Sequence, residues 1–175
     1  GNIAIGAYAL DATSTNAQTG TIAIGYQALT ALTSGAGNLA VGYRAADLLT
    51  TGDRNIAIGQ DAFGAAVATT ADNIAIGYGT MATMNNTGSL KNIAIGNYAL
   101  DDTGTNAQVG NIAIGYNALT ALTTGEGSTA VGYTAGAAIV SGNKNTALGY
   151  ESLNALTDSH ANTALGYQAM KGANQ

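Results

Sequence analysis

The sequence predicts an all-β protein, a parallel β-solenoid of about ten coils. Three observations carry that prediction. A five-residue unit, Asn-Ile-Ala-Ile-Gly or a close variant, ends at Gly6, Gly25, Gly42, Gly59, Gly77, Gly96, Gly115, Gly132, Gly149 and Gly166, at steps of 19, 17, 17, 18, 19, 19, 17, 17 and 17 residues. Steps this regular are too short for a helix-pair repeat. Inside each unit a small residue alternates with large apolar ones, the period-two pattern of a strand whose side chains point to opposite faces. The chain holds 25 glycines and no proline, a composition that supplies tight turns and removes no backbone donor from the interior of a stack.

The columns give the elements in order. Two residues before each repeat glycine stands alanine in every copy: Ala4, Ala23, Ala40, Ala57, Ala75, Ala94, Ala113, Ala130, Ala147 and Ala164. The residue between is branched and apolar (Ile5, Ile24, Val41 through Leu165), and a third column runs from Ile3 to Ile112 before changing to Thr129, Thr146 and Thr163. Both faces of such a strand need cover. An unvarying alanine opposite a large residue predicts that the alanine face meets another backbone too closely for anything larger. After the glycine come Tyr, a variable polar residue, a small residue and a large apolar one, as in Tyr26-Gln27-Ala28-Leu29; this segment is predicted as a second short strand. A polar turn such as Thr33-Ser34-Gly35-Ala36-Gly37 closes the coil, its glycines free to take positive φ. The asparagine four residues before the glycine (Asn2, Asn38, Asn55, Asn73, Asn92, Asn111, Asn145, Asn162) falls where the chain enters the strand, where stacked asparagines bond side chain to side chain.

The chain reads as one repeat domain over residues 1–175, built of two related blocks, 1–90 and 91–175. Residues 1–60 align without a gap on 91–150, with 37 identical pairs, the mark of a duplication. Because the chain opens inside a repeat unit, it reads as a piece of a longer protein. Charged residues make up only 9% and the formal charge is −5, so no basic stripe offers itself to nucleic acid. Glycine or a polar residue interrupts every apolar run before the ~20 residues of a spanning helix, so membrane insertion by this segment is not expected. Without cysteine there is neither a disulfide framework nor a thiolate metal site.

The Asn-Ile-Ala-Ile-Gly-Tyr-x-Ala-Leu unit resembles the head repeats of YadA-like trimeric autotransporter adhesins. Asn145-Thr146-Ala147-Leu148-Gly149-Tyr150 and Asn162-Thr163-Ala164-Leu165-Gly166-Tyr167 are closer still to the repeats of tail-fibre-like proteins that often end in a self-cleaving chaperone. The resemblance covers essentially the whole chain. It implies a left-handed β-roll that trimerises side by side as a rigid element of an extracellular, cell-surface or virion fibre. The coils here are longer than the adhesin head's basic repeat, and no neck, coiled-coil stalk, anchor or chaperone lies in this segment. Physics supports a homotrimer independently: a thin coil encloses a small core, and covering the alanine face with copies of itself resolves this, since cyclic symmetry makes the same patch serve every subunit.

Chemistry-bearing constellations are scarce. His160 is the only histidine, and adjacent turn residues Asp158-Ser159-His160 cannot both orient and relay through one imidazole. The acids are scattered over different coils without calcium-loop spacing, and no phosphate-binding glycine loop occurs. The sequence therefore predicts no catalytic residue, no metal and no cofactor. All nine tyrosines follow a repeat glycine by one or two positions, an aromatic row read as a structural ladder. A ligand site breaks a repeat more often than it obeys one, which points to the irregular fourth and fifth coils: Gln60-Asp61-Ala62-Phe63 and the turn holding Met81, Met84, Asn85 and Asn86. The expected function is that of a structural or adhesive head or shaft segment, not an enzyme, attaching to a glycan or protein on a host or prey cell. The alternative is an ice-binding or other surface-binding monomeric solenoid.

Overall fold

The structure, a computed structural model, describes residues 1–12, 18–65, 70–84, 88–101, 108–158 and 160–172. It is a β-solenoid. The repeat units form one ten-stranded parallel sheet whose strands follow chain order: Ile3–Ile5, Ile22–Ile24, Leu39–Val41, Ile56–Ile58, Ile74–Ile76, Ile93–Ile95, Ile112–Ile114, Thr129–Val131, Thr146–Leu148 and Thr163–Leu165. Register is set by the columns. Ala4 pairs with Ala23, Ala94 with Ala113, Thr129 with Thr146. Two-residue strands form a second, shorter ladder on the far side of the coils, Gln18–Thr19 with Gly35–Ala36, Gly52–Asp53 with Thr70–Ala71, and Gln108–Val109 with Gly125–Glu126.

The segment after each repeat glycine is not the second strand predicted for it. In Tyr26-Gln27-Ala28-Leu29, Gln27 and Leu29 stand at φ 55° and 52°, and the same left-handed alternation returns at Asn117 and Leu119 and at Glu151 and Leu153. A left-handed residue every second position bends the chain into an arc, which an extended strand cannot do. The strain is of order 1–2 kcal/mol for each non-glycine residue, and it is offset by bonds to both neighbouring coils. Gln27 N–H donates back to Ala7 O at 3.0 Å, and Leu29 N–H donates forward to Ala45 O at 3.0 Å. The arc thus keeps a continuous backbone ladder without being β.

The alanine column faces the interior of its own coil, which reverses the expectation that it meets another backbone and that copies of the chain cover it as the trimer seam. Ala23, Ala40, Ala75, Ala94, Ala113 and Ala130 are fully buried beside Leu29, Leu32, Leu100, Leu119 and Leu122 from the arcs. The coil is thin. Large side chains come from the arc, so the sheet opposite has room only for a methyl group at native packing density. The Ile column consequently points outward: Ile24, Ile58, Ile76 and Ile114 are half-buried, and Ile3, Ile5, Ile95, Leu148 and Leu165 are exposed.

The asparagine column forms the expected ladder. Asn55 Nδ2 donates to Asn38 Oδ1 at 3.2 Å, Asn73 Nδ2 to Asn55 Oδ1 at 3.1 Å and Asn92 Nδ2 to Asn73 Oδ1 at 3.1 Å. Each oxygen also accepts the next coil's backbone N–H, as Asn38 Oδ1 does from Asn55 N at 2.9 Å. These side chains are buried, and a buried amide without partners would cost about 1–3 kcal/mol.

Candidate functional site

With the alanines turned inward, three surfaces remain: the outward sheet face, the arc with its tyrosines, and the far ladder. On the sheet face, 17 of the 20 outward positions in the ten strands are Ile, Val or Leu. The exceptions are Thr129, Thr146 and Thr163, which share one register column. Most of these positions are half-buried, and Ile3, Ile5, Ile95, Leu148 and Leu165 are exposed.

The tyrosines run up the arc. Tyr116, Tyr133, Tyr150 and Tyr167 stack with centroids 5.2, 5.1 and 5.4 Å apart and planes within 17°. Tyr26 and Tyr43 stack the same way at 5.3 Å. Tyr8 and Tyr98, two positions past their glycines instead of one, meet their neighbours edge-on. All nine rings are at least partly exposed at their edges, but stacked rings cover one another's faces. Hydroxyl ionisation is resisted in two places: Tyr98 is raised by its hydrogen bond to Tyr78, and Tyr150 by the negative charge of Glu151.

The row has one break. Between Tyr43 and Tyr78 the coil carries Gln60 where its neighbours carry tyrosine, and the next column there reads Arg44, Asp61, Gly79. Arg44 Nε donates to Asp47 Oδ2 at 2.7 Å, while its Nη1 lies 3.9 Å from Asp61 Oδ1. Asp47 holds the guanidinium fully charged, its pKa raised first by that hydrogen bond. Exposed Gln60 donates its amide to Asp61 Oδ2 at 3.1 Å. The sequence shows Gln60 as a break in a column, but the Arg44–Asp47–Asp61 cluster beside it becomes visible only once the coils are stacked.

The residues singled out in the sequence fall elsewhere. Phe63, Met81 and Met84 are core side chains, 1%, 0% and 0% exposed, so none presents an atom to a ligand. Volume explains the irregularity: Phe63 fills the space left where the preceding coil has Ala46 in place of leucine. Asn85 and Asn86 lie outside the described residues. His160 is exposed and accepts a bond at Nδ1 from Asn143 N–H at 3.0 Å, and Asp158 accepts one from Ser141 Oγ at 2.7 Å. Both serve coil-to-coil contacts; Ser159 lies outside the described residues. Among the described residues no group of three His, Cys, Asp or Glu is placed to hold a metal. On the far ladder a groove of about 230 Å³ is lined by Ser34, Gly35, Thr51, Gly52, Asp53, Thr70 and Ala71. Asp53 Oδ1 there accepts the Ala36 N–H at 2.8 Å.

The class defined by this geometry is a parallel β-solenoid repeat protein. Protein-family models, curated proteins and solved structures contain no match to the chain.

Proposed function

We propose that this chain is a rigid, non-enzymatic segment of a trimeric fibre, a structural or adhesive head or shaft that carries attachment to another cell or surface. The single observation that carries this reading is the outward apolar face, with Ile, Val or Leu at 17 of the 20 outward positions of the ten-stranded sheet. A side-by-side homotrimer buries it by placing the same patch of each copy against the others. Each sheet strand then counts as one coil, ten in all, wound left-handed as in the adhesin heads that the repeat resembles. Such a rod stands outside the cell, on its surface or on a virion.

Light scattering tests the reading: the expected mass is three times the 17.2 kDa of one chain. A stable monomer with its Ile face in water sinks it. The competing proposal is a monomeric solenoid that orders ice or binds a surface, and the Thr129–Thr146–Thr163 column is the feature that favours it. That column is short and its companion positions are Val131, Leu148 and Leu165. Other threonines are engaged in the stack, Thr33 Oγ1 with Thr50 O at 3.0 Å and Thr123 Oγ1 with Val140 O at 3.1 Å. A thermal-hysteresis assay separates the two proposals, since only an ice-binding face produces a freezing gap.

A further inference from the structure

We infer that the missing rung of the tyrosine row is a carbohydrate subsite, in which one neutral pyranose ring sits between Tyr43 and Tyr78 and is held by Gln60, Asp61 and Arg44. The duplication supplies the comparison. Position 60 aligns with Tyr150 in the second block, where Tyr133, Tyr150 and Tyr167 stack without a break at 5.1 and 5.4 Å. Leaving out the middle ring separates Tyr43 from Tyr78 by two coil steps, about 10 Å at the spacing of paired strands. Two carbon contacts of about 3.5–4.0 Å, one to each ring, fill most of that distance. In the second block the equivalent span holds the Tyr150 ring, so the break has room for one ring, and the choice of a sugar rests on the polar groups around it.

The polar groups at the break match the same ligand. Gln60 brings an exposed amide, Asp61 a carboxylate and Arg44 a guanidinium that is 43% exposed, so both donors and acceptors meet the hydroxyls of a sugar edge. Where the second block has tyrosine at the rung, it has Thr134 and Ala137 in place of Arg44 and Asp47. The guanidinium and its Asp47 partner therefore accompany the missing ring, while an acid stands beside the rung in both blocks, Asp61 here and Glu151 there. Two carboxylates around one guanidinium leave the site negative, which selects a neutral sugar over an acidic one. The inference rests on coil stacking and not on the fibre reading, so a monomeric chain leaves it standing and failure to bind sugar leaves the trimer standing.

The test uses the whole chain with trisaccharides of glucose, galactose, mannose and N-acetylglucosamine as probes, read by saturation-transfer NMR and by tyrosine fluorescence. At least one probe is expected to bind. Gln60→Tyr, which copies the second block's rung, is expected to keep the melting temperature and weaken that binding at least ten-fold, while Tyr167→Ala at the end of the row leaves it unchanged. Should Gln60→Tyr not fold, Asp61→Asn decides, with a loss of several-fold expected. No binding by any probe overturns the inference. Full binding retained in Gln60→Tyr or Asp61→Asn also overturns it, as does loss in Tyr167→Ala.

Discussion

Gly25 has φ +135°, and a methyl group there would come within 2.2 Å of the Gly42 carbonyl oxygen one coil away. The repeat glycine is therefore fixed by a neighbouring backbone as well as by its own torsion. Gly110, at φ +69°, has open space around it, and Lys91, Lys144 and Ala161 stand at positive φ in the same column. We expect Gly25→Ala to combine backbone strain of roughly 1–3 kcal/mol with overpacking of roughly 1–3 kcal/mol. Gly110→Ala is expected to lose only about 1–2 kcal/mol, and denaturant midpoints of the two variants measure the difference. Two surface carboxylates give a pH dependence. Arg54 bonded to Asp72 at 2.6 Å holds that carboxyl below its usual range, and Lys171, with Gln168, does the same for Glu151. A lowered folded pKa means stabilisation that is present above the ordinary carboxylate range and lost as pH falls through the folded value. The melting temperature is thus expected to drop on acidification, and to drop less in an Asp72→Asn, Glu151→Gln variant. Tyr98 and Tyr150, raised, act in the opposite direction, their contribution lost as pH rises through the tyrosine range.

A sheet strand here divides its labour between faces only one residue apart. Ala113 is fully buried inside its coil, while Ile114 is half-buried and points away from it. Ala113→Leu forces a large side chain against Leu119 and Leu122 in a thin core, at a cost of roughly 1–3 kcal/mol, and should lower the melting temperature of the isolated coil stack. Ile114→Ala leaves no internal cavity, so the cost of 2–5 kcal/mol for a large-to-small core substitution should not appear in the chain itself. Its effect is expected in assembly mass at low concentration. Light scattering across a dilution series, alongside thermal melts, distinguishes the two variants; an Ile114→Ala chain that melts far lower at unchanged mass would place that isoleucine in the core after all.

In the whole molecule each coil contacts only its neighbours, so stability accumulates along the rod as a sum of coil interfaces. The duplicated blocks, the asparagine ladder and the tyrosine row all express that one-dimensional order, and the Gln60 break interrupts it locally without disturbing the sheet register between Ile56–Ile58 and Ile74–Ile76. Among the described residues the outward sheet face presents the apolar columns of all ten strands. On the proposed trimer, placing a charge in its middle, as in Ile93→Asp, is expected to give monomers, because the same residue would be buried at every symmetry-related copy. The circular-dichroism spectrum should persist, since the side chain faces away from the coil's own core. A variant that remains trimeric would move the interface to another face.

Much of this was legible in the sequence because a solenoid writes its architecture as a period: the step between glycines fixes the coil, the alternation Ile-Ala-Ile fixes the strand, and the asparagine column fixes the buried ladder at the strand entrance. Periodicity does not, however, say which face of a strand is inside. Alanine opposite isoleucine fits both a wide core facing isoleucine and a thin core facing alanine, and the choice depends on how much volume the arc delivers from Leu29, Leu32 and their equivalents across the coil. Nor does a run such as Tyr26-Gln27-Ala28-Leu29 announce left-handed torsions, since none of these residues prefers them; bonds to the coils on either side impose them. Phe63, Met81 and Met84 drew attention as breaks in the pattern, yet they are repacked core, because a substitution in one coil is balanced by volume in the next. The break that reaches the surface, Gln60 beside Arg44 and Asp61, gains its chemistry from residues 16 and 17 positions apart in the chain. Only the stacking of coils, with hydrogen bonds and packing running perpendicular to the chain, brings them to one place.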